Sequence, residues 1–265
     1  MTTTPPPSAP LAIAPSDHVR HSLDDGVLRV TIDRPEKRNP LSLGVLEALR
    51  RLFTAAAADE TVRLAVITGA GDRAFASGGD LAELAGYRSA EEAAAFSRHG
   101  KAALDAIRAF PVPVVALVNG FALGGGCELA LACDLRLAAP SARIGMIHAR
   151  LAIAPSWGGG PDLVRLVGPA RALRLMLDAE PLDAPTALAA GLVDAVCPEG
   201  ADFPAWSAAE LAPWRERPRQ VMAALKAVAG ARGADRAALD TAETEAFARA
   251  WAHPDHWAAV AALGR

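Results

Sequence analysis

The sequence predicts an α/β fold for most of the chain and a helical region at its C-terminal end. Two strands and a helix recur in that order along residues 17–200, where short apolar runs alternate with segments of helical periodicity. From residue 201 to residue 265 the chain is rich in alanine, has helical periodicity and carries no strand pattern. Residues 1–16 are proline-rich and uncharged, which is typical of a disordered leader and not of a signal peptide.

The first elements follow from apolar spacing and turn residues. Val27–Ile32 alternates apolar and polar side chains and is followed by Asp33-Arg34-Pro35, which predicts a strand and then a turn. Ser42 can cap a helix, because the apolar residues after it recur with the period of one helix face. These apolar residues are Val45, Leu46, Leu49, Leu52 and Phe53. Arg63–Thr68 is an apolar run that predicts a second, more buried strand.

A capping box marks the start of the next helix. Ser89 is followed by Glu92, and this pair can satisfy the free N–H groups of a helix that is expected to run towards Ala109. Pro111 and Pro113 then end the helix before the following strand.

Three consecutive glycines separate a strand predicted at Val114–Val118 from a helix that begins near Gly125. Glycine lets another molecule approach the backbone, and a helix start leaves unpaired N–H groups at the positive end of its dipole. The run fits neither the dinucleotide-binding pattern nor a P-loop. With Glu128 at the start of the helix, it predicts a catalytic site that binds an oxyanion. A strand at Leu135–Ala138 and a helix from about Gly159 continue the same order.

Composition limits the function classes. The chain has 265 residues, 52% of them hydrophobic, with a net charge of −3, which is typical of a soluble globular protein and gives no electrostatic case for nucleic acid. Three cysteines without a CxxC pair favour a reducing, cytoplasmic setting and oppose a disulfide framework or a metal site. The longest apolar window, Val112–Cys133, contains Asn119 and Glu128, so we interpret it as a buried strand, turn and helix and not as a membrane span.

A second glycine-containing loop, Ala74–Leu81, follows the second strand. Alone, it is typical of a surface turn in which Asp80 caps a short helix. Together with the first loop, it resembles the crotonase superfamily, the enoyl-CoA hydratase/isomerase family of acyl-CoA enzymes. The resemblance extends in order from Asp17 to Pro198. The matching segments are Arg34–Leu41, Ala74–Leu81, Asn119–Asp134 and Leu182–Val196.

The resemblance implies a crotonase-type spiral of ββα units, a C-terminal helical trimerisation region and assembly as a homotrimer or a dimer of trimers. It also implies that the backbone N–H groups of Gly79 and Gly125 form an oxyanion hole for a thioester carbonyl. Coenzyme A would arrive as part of the substrate, with no other cofactor. The residues implied to contact substrate or CoA are Arg38, Asn39, Leu41, Ala76, Asp80 and Leu81, although Arg38 is also compatible with a solvated turn.

The proton-transfer residues differ from those of the hydratases in this family. Those hydratases carry one glutamate after the oxyanion glycines, matched here by Glu128, and a second glutamate 20 residues later, where this chain has His148. Histidine is the commonest general acid or base, so His148 is either catalytic or a polar space-filler. The segment Ile147–Gly159 is similar to that of alkylmalonyl-CoA decarboxylases. Its Trp157 either lines the acyl pocket or packs beneath a helix start.

Our leading interpretation is a lyase that decarboxylates an alkylmalonyl-CoA, with His148 as the proton donor to an enolate. A histidine tolerates the substrate carboxylate that a second glutamate would repel. The alternative is an enoyl-CoA hydratase or isomerase of fatty-acid-type metabolism that uses Glu128. A more remote alternative is a non-catalytic or RNA-binding relative, which three lysines and a pI near 6.1 oppose.

Overall fold

The computed structural model describes residues 17–230, 241, 244, 247–248 and 251–263, so the leader predicted at 1–16 lies outside the described residues. The strands are β1 (Val19–Asp24), β2 (Val27–Ile32), β3 (Leu64–Gly69), β4 (Ala74–Ala76), β5 (Val114–Val118), β6 (Phe121–Leu123), β7 (Leu135–Ala138), β8 (Arg143–Gly145), β9 (Leu182–Asp183) and β10 (Ala195–Val196). The helices are α1 (Leu43–Ala56), α2 (Leu81–Leu84), α3 (Ala90–Arg108), α4 (Gly125–Ala132), α5 (Gly159–Val167), α6 (Pro169–Asp178), α7 (Ala184–Ala190), α8 (Phe203–Arg215), α9 (Arg219–Gly230) and α10 (Pro254–Leu263). Two 3-10 helices lie at Pro35–Lys37 and Ile147–Leu151.

The strands form two sheets, and the chain alternates between them. The larger sheet has the order β1-β2-β3-β5-β7-β10 and the smaller one β4-β6-β8-β9. Each of β3, β5 and β7 is followed along the chain by a strand of the smaller sheet and then by helical structure. The predicted spiral of ββα units is therefore confirmed.

The alternation brings two loops to one edge of the smaller sheet. β4 and β6 are parallel neighbours, with Ala74 opposite Phe121 and Ala76 opposite Ala122. Because both strands end at the same edge, the glycine-containing loops that follow them lie together. The two loops are far apart in the sequence, so only the pairing of β4 with β6 brings them into contact.

The predicted caps form as expected. The Ser42 Oγ accepts the N–H of Val45 at 3.2 Å and starts α1. Ser89 and Glu92 form the reciprocal capping box of α3. The strands at Val27–Ile32, Val114–Val118 and Leu135–Ala138 have the predicted bounds. The prediction did not include β1, which forms a hairpin with β2 through the two-residue turn at 25–26, where both residues have positive φ.

The described parts of the C-terminal region pack on their own chain. Phe247 and Trp251 join a small apolar cluster with Phe96 of α3, and Trp251 Nε1 donates to the carbonyl oxygen of Tyr87 at 2.7 Å. α10 contacts the 3-10 helix Ile147–Leu151. The described parts of this region are largely helical, as predicted, while its part in trimer contacts stays a prediction. None of the helices in the described ranges combines the length and apolarity needed to cross a membrane.

The packing of α10 is expected to depend on pH through His256. Its ring is fully buried and its Nδ1 hydrogen-bonds the Leu151 carbonyl oxygen at 2.6 Å, while its Nε2 has no partner among the described residues. Burial lowers the pKa of His256, and the positive charge of Arg88 lowers this pKa further, against the opposing effect of the Leu151 bond. The packed helix therefore holds the neutral ring. Its stability is full above the ordinary histidine pKa of about 6.5 and falls as the pH drops below it, because only the released ring gains a proton.

Hydrogen exchange of the α10 amides at about pH 8 and about pH 5.5 would measure this effect. The observed rates are divided into the intrinsic rate at each pH, because amide exchange itself is slower at the lower pH. We expect smaller protection factors at the lower pH, and His256→Gln should remove the difference. Equal protection factors at both values in the unsubstituted protein would contradict the prediction.

Candidate active site

Leu41 fixes the backbone of the glycine-containing loop after β4. The Leu41 N–H donates to the Gly78 carbonyl at 2.8 Å, and the Leu41 carbonyl accepts the Asp80 N–H at 3.3 Å. Gly78 has a φ of +106°, and a Cβ added to it would lie 3.0 Å from the Leu123 oxygen. The loop after β4 therefore lies against the loop after β6 at a distance that leaves no room for a side chain.

Gly79 and Gly125 present free backbone N–H groups at this junction. Gly125 is the first residue of α4, so its N–H has no acceptor within the helix. Across the described part of the chain, neither N–H donates to another group. Gly125 is buried and Gly79 is half-buried, and roughly nine in ten buried backbone groups or more are paired in folded proteins. Two adjacent free N–H groups therefore mark a place where an acceptor from outside the chain can bind.

The Glu128 carboxylate is buried and is held by a loop at the start of α5. Its Oε1 accepts three backbone N–H groups, from Ser156 at 3.2 Å, Trp157 at 2.7 Å and Gly159 at 3.1 Å. A Cβ added to Gly159 would lie 2.3 Å from the Glu128 Cγ, so only glycine allows this approach. The three donors and the positive end of the α5 dipole stabilise negative charge on Oε1.

His148 contacts the other oxygen of the same carboxylate. It lies in the 3-10 helix Ile147–Leu151, and its Nε2 is 3.1 Å from Glu128 Oε2, although the two residues are 20 positions apart. The His148 Nδ1 is buried and has no partner among the described residues. The structure thus brings the two predicted proton-transfer residues into contact, while their catalytic roles stay predictions.

The contact fixes the ring hydrogen for one pair of charge states. With the carboxylate ionised and the ring neutral, the carboxylate oxygen can only accept, so Nε2 carries the N–H and Nδ1 has the lone pair. A carboxylate that orients an imidazole in this way is the arrangement that prepares histidine for general base catalysis in acyl-transfer enzymes. Glu128 and His148 therefore form a pair in which one ring nitrogen, Nδ1, is buried and has no partner among the described residues.

A family model covers nearly the whole of this architecture. The model described as enoyl-CoA hydratase/isomerase matches residues 22–255. The chain belongs to the enoyl-CoA hydratase/isomerase family. Among solved structures, the crystal structure of an enoyl-CoA hydratase from Mycobacterium avium subsp. paratuberculosis K-10 matches with a TM-score of 0.84 and 31% identity, over 94% of this chain and 100% of that chain.

Curated relatives of this enoyl-CoA hydratase/isomerase family member include proteins named as hydratases. The crotonyl-CoA hydratase of Syntrophomonas wolfei subsp. wolfei is 43% identical over 165 residues, or 62% of this chain and 63% of the relative. The 2,3-dehydroadipyl-CoA hydratase of Escherichia coli is 42% identical over 173 residues, or 65% and 66%. The probable enoyl-CoA hydratase of Bacillus subtilis is 35% identical over 204 residues, or 77% and 78%. The chain thus spans less than two thirds of the first two relatives.

These relatives bear on the predicted reaction. All three carry hydratase names, so they support the hydratase alternative and do not confirm the resemblance of Ile147–Gly159 to alkylmalonyl-CoA decarboxylases. Within the described ranges, no group of three or more His, Cys, Asp or Glu side chains could hold a metal ion.

The side chain of Asn39, which the resemblance placed against CoA, has a supporting position. Asn39 is fully buried; its Oδ1 accepts the Arg34 N–H at 2.9 Å, and its Nδ2 donates to the carbonyls of Ala70 and Ala74 at 3.0 and 2.7 Å. This amide joins its own turn at Arg34 to the loop between β3 and β4 and has no surface left for a ligand. A contact from Asn39 to CoA could come only from its main chain.

The other residues predicted to contact CoA divide into buried and exposed groups. Leu41 and Ala76 are buried, so their side chains belong to the core beneath the site. Asp80 caps α2, and its Oδ2 pairs with Arg34 at 2.7 Å, as expected for a helix cap. Arg38 is exposed, with its carbonyl fixed by the Ser77 N–H at 3.1 Å, and Leu81 is 37% exposed. Only the side chains of Arg38 and Leu81 are therefore open to a ligand.

Sequence reasoning missed the backbone donors of Ser156 and Gly159. It associated Gly159 with a helix start and considered Trp157 for the acyl pocket, without relating either residue to Glu128. The signal available was the glycine-rich start of α5, since a helix N-terminus binds anions, but nothing in the sequence identifies which carboxylate it binds.

Proposed function

We propose that this protein is an enoyl-CoA hydratase that adds water across the double bond of a 2-enoyl-CoA thioester. One observation carries the proposal: Gly79 and Gly125 have free backbone N–H groups, and a Cβ on Gly124, the residue before Gly125, would lie 3.8 Å from Nε2 of the His148 ring that contacts Glu128. The hydratase names of the relatives support the same reaction.

The Gly79 and Gly125 N–H groups would act as the oxyanion hole. When water attacks the β-carbon, electrons from the double bond move to the thioester oxygen and create an enolate. Two fixed donors stabilise this oxygen more strongly as its charge grows, and removing one such donor typically costs about 3 kcal/mol in the transition state. Both donors are main-chain N–H groups, so the backbone geometry at Gly79 and Gly125 determines this stabilisation.

His148 would carry the proton. Its free Nδ1 takes a proton from the attacking water, the oxygen of that water bonds to the β-carbon, and the enolate forms. The protonated ring then returns a proton to the α-carbon as the enolate collapses, which completes the addition of one water molecule. Glu128 stabilises the transient positive charge of the ring and keeps Nε2 as the bonded nitrogen.

A second candidate reaction is the decarboxylation of an alkylmalonyl-CoA. The observation that favours it is the presence of His148 where the family's hydratases have a second glutamate, together with a Glu128 Oε1 that three N–H groups already occupy. Loss of CO2 needs only an enolate stabilised by the two N–H groups and a proton donor for the α-carbon. No base for water is required.

A panel of CoA thioesters separates these reactions. Crotonyl-CoA, a 3-enoyl-CoA, methylmalonyl-CoA and ethylmalonyl-CoA would be assayed for hydration, double-bond shift and CO2 release. We expect hydration of crotonyl-CoA and no CO2 release. CO2 release without hydration would replace the hydratase proposal with the decarboxylase one. In a complex with a bound acyl-CoA, we expect the thioester oxygen about 2.7–3.1 Å from both glycine nitrogens.

We also propose that the protein assembles as a homotrimer or a dimer of trimers, as the family resemblance implies. Exposed leucines support a contact surface outside the C-terminal region, because Leu173 and Leu177, one turn apart on α6, are 55% and 69% exposed. Light scattering after size-exclusion chromatography would report the mass. We expect Leu177→Glu to shift the mass towards the monomer, and Glu83→Gln, on α2, to leave it unchanged. A monomeric unsubstituted protein would contradict the proposal.

A further inference from the structure

The indole ring of Trp157 lies among three glycines. Its benzene half contacts the two residues with free N–H groups: Cη2 is 3.6 Å from the position that a Cβ on Gly79 would take and 2.9 Å from the corresponding position on Gly125. Its pyrrole half contacts α3, where a Cβ on Gly100 would lie 2.4 Å from Nε1. The ring is only 4% exposed. The ring therefore occupies the space that side chains at these three glycine positions would fill.

The position of the ring is fixed by its backbone and by shape. The Trp157 N–H donates to Glu128 Oε1 at 2.7 Å, and its carbonyl accepts from Arg108 Nη2 at 2.9 Å. Arg108 is in turn paired with Asp162 at 2.8 Å. The indole Nε1, in contrast, is buried and has no hydrogen-bond partner among the described residues. Packing against glycines, and not a polar contact, therefore holds the ring.

The ring limits the space next to the free N–H groups. If a thioester oxygen binds to the N–H groups of Gly79 and Gly125, the acyl chain starts at the carbonyl carbon next to those two residues. On one side lies the Glu128–His148 pair, and the indole occupies the space against Gly79, Gly100 and Gly125. A long acyl chain would have to displace the indole ring of Trp157, whose backbone N–H and carbonyl are both hydrogen-bonded.

We propose that Trp157 closes the acyl end of the site and restricts the substrate to CoA thioesters with a short acyl group. This inference rests on the proposed function for the place of the thioester. It adds a specificity-determining residue that acts by volume and not by chemistry. The same wall would exclude a chain of medium length regardless of whether the bound thioester is hydrated or decarboxylated.

Binding of saturated thioesters to the unsubstituted protein tests this without any turnover. Titration calorimetry with acetyl-CoA, butyryl-CoA and octanoyl-CoA would compare three acyl lengths on one CoA moiety. In an open apolar pocket each added methylene strengthens binding. In a closed pocket, a ligand with one methylene more than the pocket holds is disfavoured by roughly 10–200-fold. We expect octanoyl-CoA to bind at least about tenfold more weakly than butyryl-CoA. Octanoyl-CoA binding as tightly as butyryl-CoA would overturn the proposal.

Two substitutions assign the effect to the ring. Trp157→Ala should improve octanoyl-CoA binding by about tenfold or more relative to butyryl-CoA. Trp157→Phe should keep the preference for short chains, because Nε1 has no partner to lose. Trp206→Ala, which removes a partly buried tryptophan of α8, controls for general loosening. An unchanged preference in Trp157→Ala would overturn the assignment, and if that variant does not fold, the titrations on the unsubstituted protein decide.

The same experiments keep the two proposals apart. Absence of turnover on every enoyl-CoA, with octanoyl-CoA still rejected, would remove the hydratase proposal and retain the role of Trp157 as a wall. Rapid hydration of both crotonyl-CoA and 2-octenoyl-CoA would retain the hydratase proposal and remove the role of Trp157 as a wall.

Discussion

Replacing His148 with alanine is expected to lower the turnover number by about 10²–10⁴-fold. The imidazole is the one group in the pair with a free nitrogen, since Nε2 is bonded to Glu128 and Nδ1 has no partner in the described part of the chain. Binding of CoA thioesters should change little, because the N–H groups of Gly79 and Gly125 and the surface at Arg38 are unaffected. A fall in turnover number with an unchanged Michaelis constant is the expected kinetic result.

Chemical rescue provides the control for this prediction. The alanine variant leaves a space of imidazole size beside Glu128 Oε2, so added imidazole should restore part of the rate without changing the unsubstituted enzyme. His99→Ala is a matched control, because that histidine lies on α3 and bonds the Leu43 carbonyl at 3.1 Å. Turnover of the His148 variant within about threefold of the unsubstituted rate would exclude His148 as the proton carrier.

Local patterns predicted the elements well where one signal dominated. Ser42 and the Ser89–Glu92 pair each satisfy helix N–H groups through their own side chains, so three or four residues are enough to identify the cap. β6 and β8 were not predicted as strands. Each has three residues and is stabilised by pairing with neighbours distant in sequence, so no local periodicity can develop.

The candidate site was predictable in its residues but not in its contacts. The glycine loops, Glu128 and His148 follow from motif and spacing. The three donors to Glu128 Oε1 do not, because they are backbone groups whose direction depends on how α5 packs against α4. Asn39 shows the same limit: a polar residue in a motif was interpreted as a ligand contact, yet its amide is fully buried between two loops.

Two helix starts have different tasks in this site. The start of α4 leaves the Gly125 N–H free, in the place proposed for substrate negative charge. The start of α5 directs N–H groups to the protein's own carboxylate on Glu128. Because that carboxylate also bonds His148, the second helix start indirectly holds the residue proposed to carry the proton. The backbone conformation of Ser156–Gly159 should therefore influence catalysis through Glu128, although this segment does not need to contact the substrate.

Replacing Glu128 with glutamine is expected to lower the turnover number about 10²–10⁴-fold while the fold is retained. The amide oxygen can still accept the N–H groups of Ser156, Trp157 and Gly159. Its NH2 group, however, would face His148 Nε2 and can only donate. Nε2 must then become the acceptor, the hydrogen moves to Nδ1, and the ring can no longer accept a proton from water. In serine proteases, a comparable exchange on the orienting acid costs about 10⁴-fold.

Comparison with Glu128→Ala separates the electronic role from the structural one. Alanine removes the acceptor of three buried N–H groups, each of which costs about 1–3 kcal/mol when left unpaired. Thermal unfolding should therefore show a clear loss of stability for alanine and a small one for glutamine. NMR of the His148 ring nitrogens would show whether the hydrogen has moved to Nδ1 in the glutamine variant.

A double variant decides whether the pair acts as one unit. If Glu128 works only through His148, then Glu128→Gln combined with His148→Ala should be no slower than the slower single variant, because the second change removes a function already lost. Losses that multiply would instead mean that the two residues contribute independently. In that case Oε2, the oxygen not held by the α5 loop, would transfer a proton of its own, separately from His148.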